Sequence, residues 1–254
     1  MKCNPTVKDV YDFVDSFAPF DAQCEWDNSG IIVGETLKAV NKIAVVLDIT
    51  PEAVKKAAET GADLIVSHHP VIFRAVKSLT DNDPAFLLAK HGIAAICAHT
   101  SLDIAKGGVN DALAAALGFE KAKPLTECGE SSMVRVADVD EITGSELAKL
   151  CTQKLATGVR LADSGKAIKK VALCGGAGAD FMHDVCAAGC DAYITGDVSH
   201  HEFIEAKALG LTLIAAGHFE TENPVVAVLA EKLKENFEAE VAVIEQASPV
   251  TYHI

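Results

Sequence analysis

The chain has 254 residues, is 50% hydrophobic and 23% charged, and carries a formal charge of −14. This composition excludes a disordered chain, and the acidic balance excludes a general binder of nucleic acid or anionic membrane. Apolar stretches such as Ile93–Ala98 and Leu211–Gly217 are too short to span a bilayer.

In chain order, the opening MKCNPTVKDVYDFVDSF has no long apolar core, so no secretory leader is expected and the cytoplasm is the default compartment. Trp26, Asp27, Asn28 and Gly30 precede an apolar run, and Asn-Ser-Gly favours a turn. The sole tryptophan reads as a packing anchor rather than a base-stacking platform. Short apolar runs rich in Val, Ile and Leu follow at 43–47, 64–67 and 93–98, and again at 171–174, 192–195 and 211–216. Continuous apolar runs of this length between helices suit parallel strands covered on both faces. Thr50 followed by Pro51 is an N-cap with a first-turn proline, ahead of Ala53, Val54, Ala57 and Ala58 at helical spacing. Thr143 and Glu146 form a capping-box pattern before Leu147, Leu150 and Leu155. A last helix is predicted over about 223–236 and a last strand over 241–245. The acidic residues Asp81, Asp83, Asp138, Asp140 and Glu141 read as solvated loops.

An internal repeat organises these elements. KIAVVLDITPEAVKKAAETGADLIVSHH from Lys42 matches KVALCGGAGADFMHDVCAAGCDAYITGD from Lys170; the two lysines are 128 apart, and so are Gly61 and Gly189. HGIAAICAHTSLD from His91 then resembles LGLTLIAAGHFETE from Leu209. Each half reads strand, helix, strand, helix, strand. The predicted class is α/β, with two related lobes, each a mostly parallel sheet flanked by helices. Segment 122–141 breaks the repeat and is expected to carry the link. The eight cysteines include no C-x-x-C pair, and they read as reduced structural thiols, Cys186 and Cys190 sharing a helix face.

Ligand-type residues gather at strand ends. His68 and His69 follow the run 64–67, His99 and Asp103 follow 93–98, and His218 and Glu222 follow 211–217. In open α/β sheets, ligands bind beyond the carboxyl ends of the strands. Imidazole and carboxylate suit zinc, manganese, iron or nickel. Adjacent side chains on an extended chain point apart, so His68 and His69 suit two metals better than one, with Asp103 or Glu222 as a bridge. His99, four residues before Asp103, is the candidate for proton transfer or for support of a ligand; the plainer reading is a histidine bonded to backbone. Asp197, His200 and His201 suggest substrate contacts or a further metal site, against a plainer reading in which Asp197 caps a helix and the histidines face solvent. Gly175-Gly176-Ala177-Gly178 is either a phosphate cradle or a tight turn. His91, His183 and His253 read as structural or surface residues.

The segments WDNSGIIVG (26–34), SHHPVIF (67–73), AHTSLD (98–103), ITGDVSHHE (194–202) and GHFETE (217–222) together resemble one family over about residues 10–240. This is the dinuclear-metal family of GTP cyclohydrolase I type 2 homologues, also called NGG-interacting-factor-three-like proteins. The resemblance implies His68, His69, Asp103, His218 and Glu222 as ligands of two divalent metal ions per subunit. It also implies the short form without an inserted domain, and a ring-shaped homohexamer with the metal sites facing its interior. The implied first lobe is discontinuous, 1–124 plus 216–254, with the second lobe at 125–215. The expected activity is metal-dependent hydrolysis of a nucleotide-like or phosphoester substrate; the alternative is a non-catalytic metal-binding, metal-delivery or ring-scaffold protein. Asp197 and the following histidines are placed near the active site by the resemblance, without ligand status.

Overall fold

The computed structural model describes residues 4–251, so Cys3 and His253 lie outside the described residues. The chain runs α1 (Val7–Phe17), β1 (Gly30–Val33), β2 (Lys42–Val46), α2 (Pro51–Thr60), β3 (Leu64–Ser67), α3 (Pro84–His91), β4 (Ala94–Cys97), α4 (Thr100–Ile104) and α5 (Val109–Leu117). It continues with β5 (Lys123–Pro124), β6 (Arg135–Ile142), α6 (Gly144–Leu155), β7 (Arg160–Ala162), β8 (Ile168–Cys174), α7 (Met182–Ala187), β9 (Ala192–Thr195) and α8 (His200–Leu209). Last come β10 (Thr212–Ala215), α9 (His218–Glu222), α10 (Pro224–Asn236) and β11 (Glu240–Val243).

Two compact units result. One comprises the chain up to Lys106 with Val226–Ala247, the other Gly107–Val225 with the segment from Ser248. The cuts expected at 124 and 216 therefore move to 106 and 225. The reason is packing: Leu113, Ala114 and Leu117 of α5 share a buried cluster with Leu147, Ile168, Val171 and Ile194 of the second unit. Residues 217–221 are likewise tied to that unit, Gly217 N donating to Gly196 O and Thr221 Oγ1 accepting from Gly176 N.

The first unit holds a five-stranded sheet in the order β1-β4-β3-β2-β11, in which only β1 runs antiparallel to its neighbour. Val46, Ile65 and Ala95 of this sheet pack on Ala53, Val54 and Ala57 of α2 and Leu87 and Leu88 of α3. β3 and β4 are buried along their whole length, which is why they lack the alternation of a half-exposed strand. The second unit holds six strands in the order β5-β6-β8-β9-β10-β7. Its centre, β8-β9-β10, is parallel, and its β5, β6 and β7 pairings are antiparallel, so this sheet is mixed. Segment 122–141 thus contributes two strands, β5 and β6, to the second unit's sheet rather than serving as a link. Asp138, Asp140 and Glu141 stand on β6, and Asp83 caps α3 by accepting from Ala85 N at 2.9 Å, so none of these is a plain solvated loop residue.

The repeat has a physical basis in one carboxylate per lobe. Asp63 Oδ2 accepts from Asn41 N (2.8 Å) and Lys42 N (3.3 Å); Asp191, 128 residues on, accepts from Lys169 N (2.9 Å) and Lys170 N (3.0 Å). Each thereby fastens the start of one strand to the start of the next. The chain reaches each aspartate through a glycine in the left-handed region, Gly61 at φ 74° and Gly189 at φ 71°, where a side chain would be strained. Both N-terminal capping patterns hold: Thr50 accepts from Ala53 N, and Thr143 and Glu146 cap each other's backbone. No disulfide joins the seven described cysteines, and Cys190 lies beyond the end of α7, off the helix face expected for it with Cys186.

Candidate metal centre

In the first unit, the carboxyl ends of β2, β3 and β4 carry Asp48, His68 with His69, and His99. His68, His69 and His99 each offer one nitrogen, and the three lie within 4.8 Å of one another. Each ring is oriented through Nδ1. His68 Nδ1 lies 2.9 Å from the Ala98 carbonyl, His69 Nδ1 lies 2.7 Å from Asp48 Oδ1, and His99 Nδ1 lies 2.8 Å from Asp27 Oδ1. A carbonyl or carboxylate oxygen only accepts, so in the neutral rings Nδ1 carries the proton and Nε2 carries the lone pair. This is the arrangement that metal-binding histidines require. Asp103, on the single turn of α4, brings Oδ1 to 3.8 Å from His68 Nε2. His99 thus bonds a buried carboxylate rather than backbone. Burial alone would raise the Asp27 pKa, but hydrogen bonds from His99 and Thr100 outweigh it and hold the group well below the usual carboxylate range.

In the second unit, α9 starts just after β10 and places His218 and Glu222 one helical turn apart. Nε2 of His218 lies 3.2 Å from Glu222 Oε2, and Nδ1 lies 2.7 Å from Asp197 Oδ2. Burial opposes a positive charge on this ring, yet Glu222 and Asp197 together push its pKa up to about 9. A position that concentrates positive charge between two carboxylates also suits a cation. Gly176 makes room for it: a Cβ there would sit 2.1 Å from Glu222 Oε1 and 3.2 Å from His218 Nε2. The donor sets of both units, imidazole nitrogen with carboxylate oxygen, fit borderline divalent cations.

The repeat register is informative here. His69 corresponds to Asp197, and Asp48 to Gly176, each 128 residues on. One position therefore supplies a candidate ligand in the first lobe and the carboxylate that orients one in the second. Asp197 does not cap α8, whose N-cap is Ser199; it accepts from His218, and His200 and His201 are exposed in the first turn of that helix. The glycine turn 175–178 is no phosphate cradle. Three of its four amides are already spent on side chains, Gly175 N on Asn110 Oδ1, Gly176 N on Thr221 Oγ1 and Gly178 N on Thr195 Oγ1. Trp26 is not a packing anchor either, since it is 57% exposed. His183 pairs with Glu205 at 2.7 Å, and His91 is exposed at the end of α3. Sequence reading missed Asp48 altogether and saw Asp27 only as a turn residue; the available signal was a lone aspartate directly after an apolar strand.

Among the described residues, no helix is long and apolar enough to cross a membrane. A family profile described as Duf34/NIF3 (NGG1p interacting factor 3) matches residues 5–249. A Clostridium perfringens protein named "GTP cyclohydrolase 1 type 2 homolog" is 35% identical over 248 residues, covering 94% of this chain and 95% of its own. The crystal structure of Staphylococcus aureus hypothetical protein SA1388 superposes with a TM-score of 0.90 at 26% identity, over 98% of this chain and 99% of that one. Reduced HcgD from Methanocaldococcus jannaschii gives 0.83 at 29% identity, over 95% and 98%. With matches along almost its entire length, the chain belongs to the Duf34/NIF3 (NGG1p interacting factor 3) family.

Proposed function

We propose that this protein is a metal-dependent hydrolase that holds two divalent cations with His68, His69, Asp103, His218 and Glu222, and acts on a nucleotide-like or phosphoester substrate. The observation that carries the reading is the Nδ1 anchoring of His68, His69 and His99, which in the neutral rings leaves Nε2 of each as an electron-pair donor; His218 is anchored the same way by Asp197 and would offer Nε2 once a cation replaces its proton. The name of the Clostridium perfringens relative, a GTP cyclohydrolase 1 type 2 homolog, agrees with a nucleotide substrate. A bound pair of divalent cations supplies a nucleophilic water at neutral pH, lowering its pKa from about 16 toward 7, and offsets charge developing on oxygen. Asp48 and Asp197 hold the rings of His69 and His218 in the tautomer that presents Nε2. His99, fixed by Asp27, is the group that accepts or returns a proton beside His68 and His69. The cations belong to the set zinc, manganese, iron and nickel, and the ring-shaped homohexamer belongs to the same proposal, its test being the particle mass in solution.

The experiment is elemental analysis of gently purified protein, coupled to a hydrolysis screen over nucleotides and phosphoesters with metal-free and metal-restored samples. Two metals per subunit and turnover that tracks metal content are expected, and His68→Ala should lose metal and turnover together. Full occupancy in that variant refutes the ligand assignment. Stoichiometric metal without turnover across the panel makes the protein a metal carrier instead.

A further inference from the structure

Trp26 and Phe73 are 57% and 44% exposed, although both flank the histidine group of the first unit. Their ring centroids are 5.9 Å apart at an interplanar angle of 64°, and each lies 6.1 Å from the His99 ring, at 74° and 85°. Edge-to-face contacts of this kind hold the rings without stacking face on face. Neither segment is loosely held. The Asp27 side chain, which has no exposed surface, accepts from Thr100 N (3.0 Å), Thr100 Oγ1 (2.5 Å) and Ser29 Oγ (3.2 Å), besides His99. Ser29 N donates to Gln23 Oε1 at 2.7 Å, and Asn28 Nδ2 donates to Ile72 O at 2.6 Å, tying the tryptophan segment to the phenylalanine segment. A rigid, internally bonded loop that keeps its indole in water forgoes the burial an aromatic ring normally gains. Such a surface is the mark of a binding platform.

We infer that Trp26 and Phe73 form a stacking platform for a planar heteroaromatic ring, the base of a nucleotide-like substrate whose reacting atoms lie toward His68, His69 and His99. The inference rests on the functional reading above for the reaction, but the stacking itself uses neither the metals nor the second unit. Every nucleobase presents a π-face, so the platform selects a flat ring over a bare sugar phosphate, without hydrogen-bond readout of the base.

Trp26 is the only tryptophan in the chain, so its emission reports on the platform directly. The probes are guanosine, GTP and ribose 5-phosphate, each titrated against EDTA-treated and metal-restored protein with inner-filter correction. Saturable quenching by guanosine and GTP, absent with ribose 5-phosphate, is expected in both preparations. Phe73→Ala should weaken that binding by roughly tenfold, the loss of one stacking partner. Leu37→Ala, at a residue 79% exposed, should leave it unchanged and controls for surface truncation. Quenching in EDTA-treated protein that never takes up metal keeps the platform while sinking the dinuclear reading. Two results overturn the platform: no saturable quenching by either nucleoside probe, or an emission that shifts with protein concentration alone together with Trp26→Ala breaking up an assembly. The second would make the aromatic pair a contact between copies.

Discussion

Gly176→Ala separates the geometry of the candidate centre from the stability of the fold. The added methyl would lie 2.1 Å from Glu222 Oε1, where a carbon and an oxygen need more than 3 Å, so the carboxylate must retreat by about 1 Å. That carboxylate is the far end of a flexible side chain, and its retreat costs the fold little. The backbone cost is separate: φ at Gly176 is +61°, and an alanine held there costs about 1–2 kcal/mol, or a melting shift of several degrees for a chain of this size. Gly189→Ala is the matched control, because its φ is +71° but nothing lies within 4 Å of the added methyl. Both variants should melt lower by similar amounts. Only Gly176→Ala should lose metal affinity, by about tenfold or more, with turnover down on the order of 100-fold, as expected for a 1 Å misplacement of a reacting group. The assay is chelator-competition titration beside thermal melting. Equal metal affinity in the two variants would refute the claim that Glu222 sits against Gly176 as a ligand.

Asp48→Asn and Asp197→Asn should each weaken metal binding, within about 10- to 100-fold, by releasing the tautomer of His69 or His218. The loss should be larger at Asp48, whose pair with His69 is less exposed, and unchanged affinity in chelator competition would count against the anchoring argument. Asp63 is held below the usual carboxylate range; burial opposes this, but the Asn41 amide and Lys38 outweigh it. A lowered folded pKa contributes stability above about pH 4 that is lost as pH falls through the folded value. Asp63→Asn should therefore cost about 1–3 kcal/mol near neutrality, with the gap to the parent closing in acid melts; a gap that persists would contradict it. Burial pushes the Cys151 thiol up to about 12, whereas Cys128 is exposed, so Cys128→Ser should remove a fast phase of thiol labelling at pH 8 that Cys151→Ser leaves intact.

Much of this protein was legible from local patterns. Strands buried on both faces favour apolar residues, and β3, β4, β9 and β10 are buried at all four positions each, with polar residues only at strand ends, Ser67, Thr195 and Thr212. A capping box is a contact between residues three apart, so Thr143 and Glu146 announced α6 without any tertiary information. The strand ends that carry His68, His69, His99 and His218 followed from the same reading, because the polar residue after a buried run marks where the chain leaves the sheet. Strand β6 did not follow: its outward residues are charged and its pairing partner β8 lies far along the chain, so the segment resembled a loop. The orienting aspartates were equally hidden. Asp48 and His69 meet because β2 and β3 are hydrogen-bonded neighbours, and Asp27 meets His99 across 72 residues; neither pairing leaves a trace in local spacing. Residue type and periodicity decided which groups stand at the sheet edge. Which nitrogen of each ring is presented, and which aromatic stays in water, were decided only by neighbours that folding brings together, because a hydrogen-bond partner distant in sequence sets the tautomer and a distant wall sets the burial.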